Sequence, residues 1–269
     1  MSKGSESIKV LRKICQYSKL GKTGKFHWYR QYFCRSISIY ITKLFLKMGI
    51  SANQATMIDF FIGIIGGSFF VFGDPKYWIA GTLLLYLSQI IDCVDGEIAR
   101  YNNTASAAGE YWDSMCSISV DAYRMACMTF GIYSLFHAIP ILIFGFIAVT
   151  APLFSLISKL LAYKLELELP LPSKALANGD DTKTKKLTIK QIFLGYGRLI
   201  FSSSLVVITI LAVAIIDLYF HAVTIDIPFI GSFMINARYV YIILYGVSVL
   251  IVTILRAYDI IRKGTIPNF

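Results

Sequence analysis

Residues 91–121 read IDCVDGEIARYNNTASAAGEYWDSMCSISVD and lie between two strongly apolar runs. The stretch carries Asp92, Asp95, Glu97, Glu110, Asp113 and Asp121. Carboxylates within a membrane span are costly and usually face a polar cavity or a partner. Asp92 and Asp95 stand three residues apart, on one helix face, and Arg100 ends the same helix. Glu110, Asp113 and Ser117, at i, i+3 and i+7, share a face of the next helix. Two adjacent antiparallel helices therefore direct three or four carboxylates to one place just inside the membrane surface. Oxygen ligands without His or Cys favour Mg²⁺, Mn²⁺ or Ca²⁺ over zinc. Gly96 and Gly109 lack side chains and Ala99 has a small one, so a bulky ligand has room to approach. Arg100 suits phosphate oxygens. The set fits attack on a diphosphate, with metal ions stabilising charge on the leaving group.

Working outward, 56% of the 269 residues are apolar and the mean hydropathy is positive. Runs of roughly 20 apolar residues suffice to cross a bilayer. Six qualify, at about 54–73, 77–99, 108–135, 140–162, 199–220 and 239–258. The expected fold is an all-α integral membrane protein of six transmembrane helices, preceded by an N-terminal amphipathic interfacial helix. Residues 1–50 form a basic juxtamembrane segment, and 51–269 the membrane domain with a cytoplasmic loop at about 163–197. In RSISIYITKLFLKMG, Ile37, Ile41, Leu44, Phe45 and Met48 fall on one helical face. Ser51 is placed to cap the first span, and Gly63, Gly66 and Gly67 to let a neighbour approach. The first 35 residues are basic and lack an apolar core with a cleavage site, so the first span is expected to direct insertion.

The net charge is +10, and its placement is informative. Residues 1–50 hold eleven Lys/Arg against one acid, Glu6; 159–198 and the C-terminal tail are also basic. The turns near 74–76, 137–140 and 226–238 are poor in Lys and Arg. The positive-inside rule puts both termini, the 163–197 loop and the acidic site on the cytoplasmic side, of the cell membrane in a prokaryote. A basic inner face attracts anionic headgroups and phosphorylated substrates. Nucleic acid is not needed to explain charges that track membrane flanks. Cys15, Cys34, Cys93, Cys116 and Cys127 form no CxxC pair and read as packed free thiols.

DCVDGEIARYNNTASAAGEYWDSMCS closely resembles the signature of the CDP-alcohol phosphotransferases, D-x2-D-G-x2-A-R-x8-G-x3-D-x3-D. Asp92, Asp95, Gly96, Ala99, Arg100, Gly109 and Asp113 match at the right spacings. SANQAT resembles the family's P-N-x-x-T entry to the first span, with Ala52 for Pro. The resemblance implies a six-helix membrane transferase, often a homodimer, that moves a substituted phosphate from a CDP-alcohol to an alcohol hydroxyl and releases CMP. It implies that Asp92, Asp95 and Asp113 bind two divalent ions, Mg²⁺ or Mn²⁺, on the CDP diphosphate. It further implies that Gly96, Ala99 and Gly109 make room for the cytidine end and that Asn53 and Thr56 line the same site. Donor and acceptor are its partners, one of them a lipid.

The pattern departs at its last position, where the family's catalytic Asp is replaced by Ser117. A neutral Ser can ligate a metal but does not act as a general base at its ordinary pKa. Three readings stand: another carboxylate substitutes, either Glu110 on the same face or Asp59 from the first span; the acceptor needs little help; or the chain is an impaired relative that binds metal and nucleotide. A metal-ion transporter is a further alternative, and a prenyltransferase would need a second Asp-rich motif that the later spans lack. Asp59 reads first as an interfacial polar residue, Glu97 as a solvated or helix-pairing acid, Asp121 as the ion-pair partner of Arg124, and Asp217 as an outer-end residue touching headgroups or water. Tyr239, Tyr241 and Tyr245 read as an interfacial belt and helix packing.

Overall fold

A computed structural model describes residues 6–16, 30–150, 203–220, 223–227 and 231–263, together with Leu153 and Ile157. The expected loop at 163–197 and its lysines lie outside the described residues. Two N-terminal helices, α1 (Ile8–Cys15) and α2 (Arg35–Met48), precede three long ones: α3 (Ala52–Ser68), α4 (Pro75–Asn102) and α5 (Ala107–Phe136). Next come α6, described over Ile139–Thr150, and α7 (Ser203–Tyr219). The antiparallel hairpin β1 (Val223–Ile227) and β2 (Gly231–Ile235) leads to α8 (Ala237–Lys263). The hairpin, with Val223 opposite Ile235 and Ile227 opposite Gly231, is a small addition to an otherwise helical fold, in keeping with the all-α expectation.

Local chemistry sets the helix ends. Ser51 caps α3 in a reciprocal capping box with Gln54. Asp74 accepts from Lys76 N and Pro75 opens α4, where no amide hydrogen is required. Asn103, at φ 54°, stops α4 in the left-handed conformation, and its amide donates back to Ala99 and Arg100 carbonyls. Three residues later Ser106 caps α5 by accepting from Gly109 N at 3.1 Å. His137, at φ 49°, separates α5 from α6 at the point where the apolar pattern ran on.

α3 packs against both α4 and α5. At the crossing of α3 and α4, a Cβ added at Gly81 would stand 2.6 Å from the Gly66 carbonyl oxygen, so the backbones meet because both residues lack side chains. Phe70, Trp78, Met128, Ile132, Ile141 and Ile210 anchor the core and are fully buried. Among the described residues, three helices are long and apolar enough to cross a membrane: Ala52–Val71, Pro75–Asn102 and Ala237–Leu255. α5 has the length, at 30 residues, but its acids and Arg124 dilute its hydropathy. α6 and α7 are shorter apolar helices over their described residues.

α2 forms where its periodicity placed it, with the apolar face expected at the interface turned outward and another face packed inward. Ser38, Ile39, Thr42 and Leu46 are buried, whereas Ile37, Leu44 and Met48 are exposed. The reason is Glu97, which is fully buried on α4 rather than solvated. It accepts from Gln16 Nε2 at 2.8 Å, Ser38 Oγ at 2.7 Å and Thr42 Oγ1 at 2.6 Å. A buried carboxylate requires such donors, so Ser38 and Thr42 of α2 point in beside Ile39 and Leu46, while Ile37, Leu44 and Met48 point out. Leu11 and Cys15 of α1, which the sequence did not mark as a helix, pack with Val94 and Ile98 of α4.

At the other end of the helices, Asp217 is buried and paired with Arg238 at 2.5 Å, not exposed to headgroups. Arg238 also donates to the Gly73 carbonyl and lies over the Trp78 ring at 5.2 Å. This cluster ties the α3–α4 turn to α7 and α8 and lines a cavity of about 430 Å³ remote from the acidic motif. Tyr241 stacks on Tyr245 and shares a hydrogen bond with Thr209, so these tyrosines serve packing.

Candidate active site

The motif occupies the end of α4 and the start of α5, with the turn 103–106 between them. α3 enters beside them. The Thr56 hydroxyl donates to Asp95 Oδ2 at 2.8 Å, and the Gly96 amide donates to Asp95 Oδ1. A Cβ added at Gly109 would come within 3.9 Å of Asn53 Oδ1. Asn53 and Thr56 thus stand at the motif, on the capped first turns of α3. Asp95 is buried; Asp92 and Asp113 are half-buried. Asp59, Asp95 and Asp113, from three different helices, all lie close enough to the Cys116 thiol for their charges to act on it.

Among the described residues, no three His, Cys, Asp or Glu side chains converge as a ready coordination shell. The carboxylates and hydroxyls of the motif are oxygen donors, which fits a hard divalent cation, and side-chain rotation would be needed to bring them onto one ion. Arg100 is partly committed: its Nε donates to the Cys15 carbonyl at 2.5 Å. Its guanidinium folds over Gly96, with one terminal nitrogen 3.2 Å from where a Cβ would sit. The five cysteines are buried free thiols.

Beneath the motif lies a cavity of about 140 Å³ between α3, α4, α5 and α7. Asp92 and Ser117 line it nearest the motif, joined by Asp59 and Ser88 and, a turn deeper, by Asp121 and Arg124. Asp59 is therefore not an interfacial residue: it is 4% exposed, and its Oδ1 accepts from Ser88 Oγ at 2.5 Å. Asp121 pairs with Arg124 at 2.9 Å, as its spacing suggested. Glu110 is exposed on the first turn of α5 and is not among the cavity's lining residues. Ser88 and Gln89, not among the candidate residues, are also in the lining. Their signal was polar residues one turn before Asp92 in an otherwise apolar run.

The model of the CDP-alcohol phosphatidyltransferase family matches residues 49–223, about two thirds of the chain. The chain belongs to this family. A curated relative, the bifunctional IPC transferase and DIPP synthase of Thermococcus kodakarensis, is 30% identical over 126 residues, which is 47% of this chain and 28% of that protein. The chain thus spans little more than a quarter of that relative's length. Among solved structures, the phosphatidylinositol phosphate synthase of Mycobacterium tuberculosis in complex with manganese and citrate aligns with a TM-score of 0.53 at 16% identity. That alignment covers 87% of this chain and 93% of the other, and the likeness is one of fold.

Proposed function

We propose that this chain is a membrane transferase that moves a substituted phosphate group from a CDP-alcohol to an alcohol hydroxyl, with release of CMP, in phospholipid or related phosphodiester synthesis. The observation that carries the reading is the hydrogen bond from Thr56 on α3 to Asp95 on α4, inside the acidic motif and within the span matched by the family. Asp92, Asp95 and Asp113 would hold Mg²⁺ or Mn²⁺, two ions per site. Such ions, when bound, neutralise diphosphate charge. Gly96, Ala99, Gly109, Asn53 and Thr56 would receive the nucleotide, with Arg100 at its phosphates. A manganese-bound relative of the same fold is consistent with this choice.

The acceptor oxygen attacks the β-phosphorus and forms a new P–O bond. The bond from that phosphorus to the bridging oxygen breaks, and CMP departs with the electron pair. The acceptor's proton must be taken by a base or by water. We further assign the chain six spans, both termini and the site on the cytoplasmic side, and a homodimeric state, on the strength of its charge distribution and its family. The test is CMP release by the purified chain in lipid vesicles, with Mg²⁺ or Mn²⁺, across a panel of CDP-linked donors and alcohols. Turnover that requires both metal and a CDP-linked donor supports the reading; no release from any pair contradicts it.

A further inference from the structure

α1 and α2 precede the residues matched by the family, yet α1 grips the motif helix. Gln16 Nε2 donates to Glu97 Oε1 at 2.8 Å and to the Arg35 carbonyl at 2.9 Å. The Cys15 carbonyl accepts from Arg100 Nε, and Glu6, just before α1, accepts from the Tyr101 hydroxyl at 2.7 Å. The Arg100 contact bears on the site. A guanidinium is a rigid planar fork. With Nε held by Cys15, its terminal nitrogens are directed over Gly96, inside the motif. The outer surface of α1 is exposed. Val10 and Ile14, one turn apart, lie along one flank, and Lys9 and Lys13, also one turn apart, along the other. α2 adds Tyr40, Leu44 and Lys47, likewise exposed. No acid occurs between Glu6 and Asp59, so both helices carry positive charge alone. α4, at 28 residues, outreaches a hydrocarbon core of about 30 Å, which puts its last turn, and α1 packed on it, among headgroups. Exposed apolar side chains flanked by cations at that depth complement an anionic lipid surface.

We propose that α1 is a membrane-held clamp: its outer face binds an anionic lipid surface, and that contact keeps Cys15 and Gln16 on α4, where they position Arg100 for the diphosphate. The role rests on the transferase reading, in which Arg100 meets the nucleotide's phosphates. An eight-residue helix is marginal by itself. Its hold on α4 is chiefly Leu11, Cys15 and a few hydrogen bonds, so the lipid contact decides how often the clamp is closed. A closed clamp has already removed the rotamer freedom that Arg100 would otherwise lose on meeting a phosphate. Cys15 and Gln16 act through Arg100 and are positioning residues.

The experiment uses the full chain in vesicles of phosphatidylcholine, alone or mixed with phosphatidylglycerol, and two readouts: Mn²⁺-dependent CDP affinity, and iodoacetamide labelling of Cys15 followed by peptide mass spectrometry. Phosphatidylglycerol is expected to slow Cys15 labelling about tenfold, as local opening of α1 becomes rarer. It is expected to tighten CDP binding about three- to tenfold, although an anionic surface by itself repels a nucleotide. Lys9→Gln combined with Lys13→Gln, at two exposed positions, is expected to remove both effects. Arg100→Gln is expected to keep the labelling response and to lose the gain in affinity. Absence of either response in the wild-type chain, effects that survive the lysine substitutions, or a gain in affinity that survives Arg100→Gln would each overturn the proposal while leaving the transferase reading intact. A wild-type chain that binds no CDP in either vesicle overturns both.

Discussion

The Thr56 hydroxyl donates to Asp95 Oδ2 at 2.8 Å and so joins the first turns of α3 to the acidic motif on α4. A hydrogen bond to an ionised group contributes about 1.5–3 kcal/mol. Thr56→Val keeps the shape and removes the donor. It is expected to weaken metal-dependent CDP binding about tenfold and to lower the unfolding temperature, as read by nucleotide titration and by thermal denaturation in detergent.

Glu97 draws donors from α1 and α2 onto α4 one residue after Gly96. Glu97→Ala removes the acceptor shared by three buried donors, leaving Gln16 and Ser38 only their bonds to the Arg35 carbonyl. The expected cost is about 3 kcal/mol or more of stability, with protease cleavage between α2 and α3 accelerated as the N-terminal helices detach. Glu97→Gln, which preserves an acceptor, is expected to lose less.

Burial pushes the Cys15 thiol up to about 11, with the charge of Glu97 adding to the rise and that of Arg100 opposing it. The thiolate is the reactive species, so raising the pKa removes it at neutral pH. Iodoacetamide should label Cys15 slowly at pH 7.5. The rate should climb about tenfold per pH unit until the pH nears 11, and Glu97→Gln should speed labelling at fixed pH. Rapid labelling of the native chain at pH 7.5 would mean that α1 does not rest on α4.

A Cβ at Gly131 would run into the Phe70 carbonyl oxygen, which is backbone and has little freedom to yield. Gly131→Ala is expected to destabilise the chain by about 1–3 kcal/mol, measured by thermal unfolding in detergent. Alanine at Gly49 meets nothing within 4 Å, but that residue sits at φ 73°, so its cost is conformational.

The acidic motif was legible because spacing alone puts Asp92 with Asp95 and Asp113 with Ser117 on helix faces, and α4 and α5 obey that spacing. The capping of α3 was likewise local chemistry. What spacing does not carry is which side of a helix faces its neighbours. In α2 the apolar stripe of Ile37, Leu44 and Met48 was read as an interfacial face and does point outward, but spacing did not show that Glu97 draws Ser38 and Thr42 inward. Asp59 and Asp217 were assigned to interfaces because each stands near a helix end; their partners, Ser88 and Arg238, are 29 and 21 residues away along the chain. The hairpin before α8 had no resolved strand signal beside the longer apolar runs. The second half of the fourth expected span and the 163–197 loop lie outside the described residues.

Asp92, Asp95 and Asp113 are proposed to bind divalent cations that in turn hold a cytidine diphosphate. The direct measurement is a CDP titration of the purified chain with and without Mn²⁺, repeated with Asp95→Ala. Saturable binding that disappears on chelation and in the variant is the expected result. Nucleotide binding that persists without metal and is unaffected by Asp95→Ala would contradict the account.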